Sequence, residues 1–297
     1  MGIKFPSERW AKIRENSRQW WNGELKRPLV QVILTGCDPG RPEPKLPYYA
    51  FQSSYDFSVP VEVIVDRLDY ELSCREYLGD AFPAFWPNFG AGIMVGFLGA
   101  EVIPRLDTTW FHPAQPVDIR DLRFEYDPNN PWLQRVKALM QATADRWQGQ
   151  VQIGMTDLGG NLDILFSFRP NEQLLFDLYD HPDEVRRLTW EIHDLWWRYF
   201  TELDAIVHPT NPGYTAWAQI FSETPCYMLQ CDFCYMIGPE MFDEFVKPEL
   251  QASCRRLDHA FYHLDGRGQL PHLDSLLSIK ELKGIQMGTG SRSQAAM

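Results

Sequence analysis

Three short runs decide how this chain folds: Cys226-Tyr227-Met228-Leu229-Gln230-Cys231, Ala260-Phe261-Tyr262-His263-Leu264 and Gly284-Ile285-Gln286. Each is apolar along most of its length, the pattern of a strand buried on both faces. Between the first two, Gly238-Pro239 opens a helical stretch carrying Phe242, Phe245, Val246 and Leu250, with a bend expected at Pro248. Residues 270–277 predict another helix before the third run. An acid follows each of the first two strands, Asp232 and Asp265. Strand and helix alternate, which predicts a parallel α/β sheet with its polar groups at the strand ends.

Working outward, residues 215–221 read as a further strand, and residues 182–203 as a helix whose apolar positions Val185, Leu188, Ile192, Leu195, Trp196, Tyr199 and Leu203 step by three and four. A short helix is expected at 170–179, strands at 28–34, 82–86 and 150–155, and helices at 7–21, 61–78 and 131–147. Residues 90–130 break this rhythm with β-like pieces at 92–97 and 117–119 and read as an insertion. Polar clusters recur after nearly every strand, which favours a TIM (β/α)8 barrel over an open sheet. Seven strands are found, so the expectation is a barrel over residues 1–286 that lacks its last βα unit, followed by an irregular tail at 287–297. The first strand, 30–34, would then keep an unpaired apolar edge, a template for a homodimer.

The 297 residues are 44% hydrophobic and 23% charged, enough apolar material for a sizeable core. Acids outnumber Lys and Arg by 40 to 28, a net charge of −12 that disfavours nucleic acid as a partner. No segment is long and apolar enough to suggest a membrane span or a signal peptide, so a cytoplasmic location is expected. Six Cys are too few and too clustered for a disulfide framework and should be reduced. Aromatic residues reach 14%, with 11 Trp, which suits either a bulky core or the wall of a wide ligand cavity.

His263 and Asp265 lie two apart and point to the same side of a strand end, where imidazole and carboxylate together can hold a metal ion or transfer a proton. Asp232 should share that mouth, to accept a proton or face a protonated nitrogen. Asp157 sits in Asp157-Leu158-Gly159-Gly160, where two glycines let the backbone approach a ligand. Trp86 and Asn88 end the second strand as an aromatic wall and an amide. Cys231 and Cys234 form a single CxxC whose thiols would face opposite ways on an extended strand, so buried thiols are the better reading.

These pieces, together with Trp217 and Ser222, the stretch from Ile237-Gly238-Pro239-Glu240 to Leu250, and Tyr262-His263-Leu264-Asp265-Gly266, resemble the second half of the uroporphyrinogen decarboxylase superfamily. A weaker likeness runs through Phe85-Trp86-Pro87-Asn88 and Met155-Thr156-Asp157 to the first strand. The resemblance implies a TIM barrel, with Asp232, His263 and Asp265 as catalytic residues and Trp86, Asn88, Asp157 and Trp217 around the substrate. Haem-pathway decarboxylases carry an arginine-rich stretch after the first strand to clamp carboxylates, whereas here only Arg41 remains near Asp38. The corrinoid-dependent methyltransferases carry a His-x-Cys pair and a later Cys that bind zinc; this chain reads His263-Leu264-Asp265, with no Cys after Cys254. The resemblance therefore implies methyl transfer from a corrinoid or small donor, with a divalent metal such as zinc on His263 and Asp265, or a corrinoid supplied by a partner protein. Decarboxylation of a tetrapyrrole is the alternative, and a non-catalytic corrinoid- or tetrapyrrole-binding barrel is a third reading.

Overall fold

The 226–286 stretch folds as its pattern predicts. In the computed structural model, which describes Ile3 and residues 5–287, the three runs become parallel neighbours in one sheet. The elements in chain order are α1 (Ser7–Trp21), β1 (Gln31–Thr35), α2 (Val61–Ser73), β2 (Arg75–Gly79), β3 (Ala84–Phe85), α3 (Met94–Phe97), β4 (Glu101–Pro104) and β5 (Thr109–His112). There follow α4 (Pro131–Trp147), β6 (Gln152–Ile153), α5 (Asn161–Phe168), α6 (Gln173–Asp180), α7 (Pro182–Val207) and β7 (Cys226–Gln230). The last are α8 (Pro239–Met241), α9 (Lys247–Cys254), β8 (His259–Leu264), α10 (Leu273–Leu277) and β9 (Leu282–Met287). A π-turn at Phe242–Val246 joins α8 to α9, next to Pro248, where the bend was expected. Residues 288–297, most of the expected tail, lie outside the described residues; Met287 ends β9.

Strands β7, β8 and β9 pair in parallel in that order, with Gln230 opposite His263 and His263 opposite Gln286. Strands β3 and β6 also pair in parallel, and the ladder continues from Gly154 N to Phe85 O (2.7 Å) and from Met155 N to Thr215 O (3.1 Å). Helix α4 starts on Asn130, whose Oδ1 accepts the N–H of Trp132 and of Leu133, with Pro131 in the first turn where no donor is needed. Helix α7 buries Val185, Leu188, Ile192, Trp196, Tyr199 and Leu203, the face read from the sequence, in the main core.

Four expectations change. The helix at 61–78 stops at Ser73, and β2 pairs antiparallel with β1 from Gln31 opposite Gly79 to Thr35 opposite Arg75. Tyr77, the one buried residue of β2, lies five residues after Leu72, off the three-and-four step of the helix face, so the apolar rhythm already breaks where the helix ends. Strand β2 covers one edge of β1; among the described residues no strand pairs with the other edge, and Val30, Val32 and Leu34 stay exposed on the ribbon. Residues 92–97 give the short helix α3 and 117–119 form no strand; the β pieces of the insertion are instead the β4–β5 hairpin, Glu101 opposite His112. Residues 215–221 form no strand either, because the chain doubles back through Gln219 (φ 47°) to a single bridge between Tyr214 and Ser222. Helix α5, at 161–168, was not expected.

The ribbon is held to α1 by Asp80, 4% exposed, which accepts two N–H groups of Arg27 (2.5 and 2.8 Å), the Asn16 amide (2.8 Å) and the Val30 N–H (2.8 Å). Arg27 first, with the backbone and Asn16 donors, lowers the Asp80 carboxyl to about 2. A lowered carboxyl contributes stability above its ordinary range, near pH 4, and loses it as pH falls through 2. Asp80→Ala should cost about 3 kcal/mol at pH 7, because it leaves these donors unpaired, and about 1 kcal/mol or less near pH 2. Urea unfolding of both proteins at the two pH values measures the difference.

Candidate functional site

Parallel pairing puts the C-terminal ends of β7, β8 and β9 at one edge, so the residues that follow them meet there. One donor atom each from Asp232, His263 and Asp265 lies within 4.8 Å of the others. The sequence reading had named all three. His263 Nε2 stands 3.9 Å from Asp265 Oδ1, while its Nδ1 bonds the Gln286 Oε1 from the next strand. An amide oxygen only accepts, so the Nδ1 that meets it is a donor, which leaves Nε2 as the atom turned toward the two carboxylates. The Trp217 ring meets the imidazole edge-on at 4.9 Å.

This donor set fits a divalent cation. One imidazole and two carboxylates suit zinc, iron(II) or manganese(II), and an imidazole fixed by a carbonyl on its far nitrogen is the usual support of a metal ligand. Ligand bonds of about 2.1 Å place neighbouring donors about 3.4 Å apart, a contraction within reach of the solvent-facing Asp232 and Asp265 side chains. Gln269, 1% exposed, bonds Cys231 O (3.3 Å) and reaches Asp232 Oδ1 (3.5 Å) through Nε2, while its buried Oε1 has no protein partner. Such an orphaned acceptor beside Asp232 suits a water or ligand group held at the centre.

Two more carboxyls lie behind Asp232. Asp163, on the first turn of α5, accepts the N–H of Asp232 (3.0 Å) and of Phe233 (2.7 Å). Burial, then the charge of Asp232, pushes it up to about 7. Asp157 is 5% exposed and accepts the Gly159 N–H (2.8 Å) and both contacts of the Gln230 amide (3.3 Å). Burial pushes it up to about 6. Asp232 is raised too, by the protein packed around it and then by Asp265, although its tip reaches solvent.

Asp163, Asp232 and Gln230 border a cavity of about 610 Å³ whose far side is the β4–β5 hairpin. Asp157 underlies it through Gln230. Trp86 and Asn88, expected around the same substrate, line a separate cavity of about 260 Å³. The Asn88 amide is taken up locally, donating to Ala50 O (3.1 Å) and accepting the Gly90 N–H (3.1 Å). Arg41 bonds Asp66 (2.8 Å) and Asp69 (3.3 Å) on α2 and borders neither cavity. Cys231 and Cys234 are buried thiols as expected, with Cys234 Sγ 3.7 Å from the Tyr262 hydroxyl, but not for the expected reason. Strand β7 ends at Gln230 and Cys234 lies in the helical turn at Asp232–Met236, so the two do not face opposite ways on one extended strand.

Sequence reasoning missed Asp163, Gln230, Gln269 and the role of Gln286. Two signals were present: Gln230 and Gln286 are polar residues at the ends of apolar strands, and Asp163 follows the double glycine just ahead of the apolar pair Ile164-Leu165.

No family model matches this chain, and no curated protein does. Among solved structures it is similar to a methyltransferase from Methanosarcina mazei, at 13% sequence identity and a TM-score of 0.49, over 68% of this chain and 56% of that one. The chain thus spans little more than half of that structure.

The raised Asp157 carboxyl makes a pH prediction. Its neutral form is the one the fold favours, so its contribution is complete below about pH 4 and is lost as pH rises through 6. Asp157→Asn stays neutral throughout. Its stability relative to the parent should therefore improve by about 2–3 kcal/mol between pH 4 and pH 8, read from urea unfolding curves. An unchanged difference would contradict the burial argument.

Proposed function

We propose that this chain is a TIM-barrel enzyme of methyl transfer in which Asp232, His263 and Asp265 hold a divalent metal ion that binds the methyl acceptor. The observation that carries the reading is the convergence of these three donors at the ends of adjacent parallel strands, with His263 already oriented by Gln286. The position supports it as well: His263-Leu264-Asp265 stands where the corrinoid-dependent methyltransferases, by the resemblance, place the His-x-Cys pair that binds zinc. When bound, such an ion lowers the pKa of a coordinated thiol or water and makes it nucleophilic at neutral pH.

The chain's own residues supply the rest. His263 Nε2 and the two carboxylates fix the acceptor end of the site, and the exposed Asp265 leaves a route for the acceptor's proton to solvent. Trp217 closes the imidazole's flank and limits water there. The methyl donor, a corrinoid or a small molecule, enters from the cavity side, past Gln230 and Asp163. Decarboxylation of a polyanionic tetrapyrrole has less support, because Arg41 is engaged on α2 and, among the described residues, no Lys or Arg borders the larger cavity.

The test is metal binding together with methyl transfer. Purified protein loaded with zinc or cobalt(II) should keep about one equivalent through dialysis, and His263→Ala should keep none. Gln286→Leu removes only the orienting acceptor and should weaken metal affinity about 10- to 100-fold. Transfer of methyl from methylcobalamin to a thiol should need the metal and fail in Asp265→Ala. Metal retention unaffected by His263→Ala would remove the basis of the proposal.

A further inference from the structure

Four of the six cysteines, Cys226, Cys231, Cys234 and Cys254, are buried, whereas Cys37 and Cys74 are partly exposed. The fold sets these two side by side. The β1–β2 ribbon pairs regularly up to Thr35 opposite Arg75, and Gly36 (φ 79°) then supplies the extra residue of a bulge that brings Cys37 opposite Cys74. Cys37 N donates to Cys74 O (2.9 Å). Bond lengths along that path hold the two Cα atoms within about 6 Å of each other, inside the range that a disulfide spans. Residues opposite each other across a ladder share a face, so both thiols stand on one side of the ribbon. The loop after Cys37 is also tied to α2, the helix that Cys74 ends: Arg41 bonds Asp66 (2.8 Å) and Glu43 accepts from Arg67 (2.6 Å).

We propose that Cys37 and Cys74 form a reversible disulfide, which fastens the loop at residues 38–60 to the end of α2. In a reducing compartment the pair rests as two thiols. A peroxide is the oxidant: one thiol attacks its O–O bond, releasing water and leaving a sulfenic acid, and the second thiol displaces a second water to form the S–S bond. Two thiols and one hydrogen peroxide thus give one disulfide and two waters. A small thiol reverses the step by exchange. The same loop places Tyr48, Ala50 and Gln52 on the wall of the cavity of about 260 Å³ that holds Trp86 and Asn88, so oxidation fixes one side of that cavity.

The test is oxidation of the native full chain with one equivalent of hydrogen peroxide, followed by tryptic mass spectrometry without reduction. Peptides 27–45 and 68–75 should appear as one cross-linked species, lighter by two hydrogens than their sum, and dithiothreitol should separate them. Iodoacetamide should alkylate two thiols of the folded protein before oxidation and none after it. The bridge should also slow tryptic cleavage of the native protein after the exposed Lys45 by about tenfold. Cys37→Ser and Cys74→Ser should each lose the cross-link and this protection. Sulfinic acid on either cysteine without a cross-link, a bridge between two chains, or cleavage after Lys45 at the same rate in both redox states would overturn the proposal. So would protection that survives in either variant.

Discussion

The close approach of Gly160 to the end of β7 is the constraint on which the site depends. A Cβ at Gly160 would stand 2.1 Å from the Gln230 carbonyl oxygen and 2.6 Å from Asp163 Oδ2, so only glycine lets α5 begin there. Its neighbour Gly159 has φ 86° and packs against Gly92, which carries the loop before α3. This contact is what lets Asp163 reach the N–H groups of Asp232 and Phe233, and so it sets the direction in which the chain leaves β7. A buried polar network backs it: Glu249 on α9 accepts from Asn161 (2.8 Å) and Ser253 (2.6 Å) and pairs with His193 on α7 (2.7 Å), while Trp196 donates to Gly159 O (3.1 Å). Removing one partner from such a network costs more than its net contribution, so these groups fix geometry more than they add stability.

That dependence explains which parts were legible in the sequence. Strands β7, β8 and β9 are continuous apolar runs, and the acids after β7 and β8 could be placed at a common edge because parallel strands must end together. Asp232, His263 and Asp265 were found for that reason. Asp163 was not, because its role comes from a contact between α5 and β7, 69 residues away in sequence, that no local pattern encodes. Asn88 shows the converse. It lies at a strand end, the right place for a ligand-facing amide, yet the turn at Gly90 and the loop at Ala50 use both ends of its side chain. The 215–221 segment has the composition of a strand but reverses on itself, a case of tertiary context overriding propensity.

The aromatic excess has a similar resolution. Along β8, His259, Phe261 and His263 alternate onto one side of the sheet. Trp21 stacks on His259 (4.0 Å) and Trp20 on Phe261 (6.4 Å), with Trp217 against His263 above them. The C-terminal end of α1 therefore fills the space beneath His263, and Trp21 is pinned by its N–H to Phe221 O (2.9 Å). Most of the Trp residues thus pack the interior, while Trp110 and Trp86 border the two cavities.

In the proposed metal centre the Asp265 carboxylate stands where the resembled methyltransferases carry a thiolate, and that difference would set what such a centre could do. Sulfur donors pass more charge to a bound cation than oxygen donors and select soft ions. Neither Cys231 nor Cys234 can restore such a donor: both are fully buried, and burial holds the Cys231 thiol far above its ordinary range. An imidazole with two carboxylates leaves an ion harder and more electron-poor, and therefore a stronger acid toward whatever group coordinates it. The pair of carboxylates would balance the formal charge of such a divalent ion. In the proposed centre this behaviour comes from an oxygen donor two residues after His263, where the resemblance places sulfur.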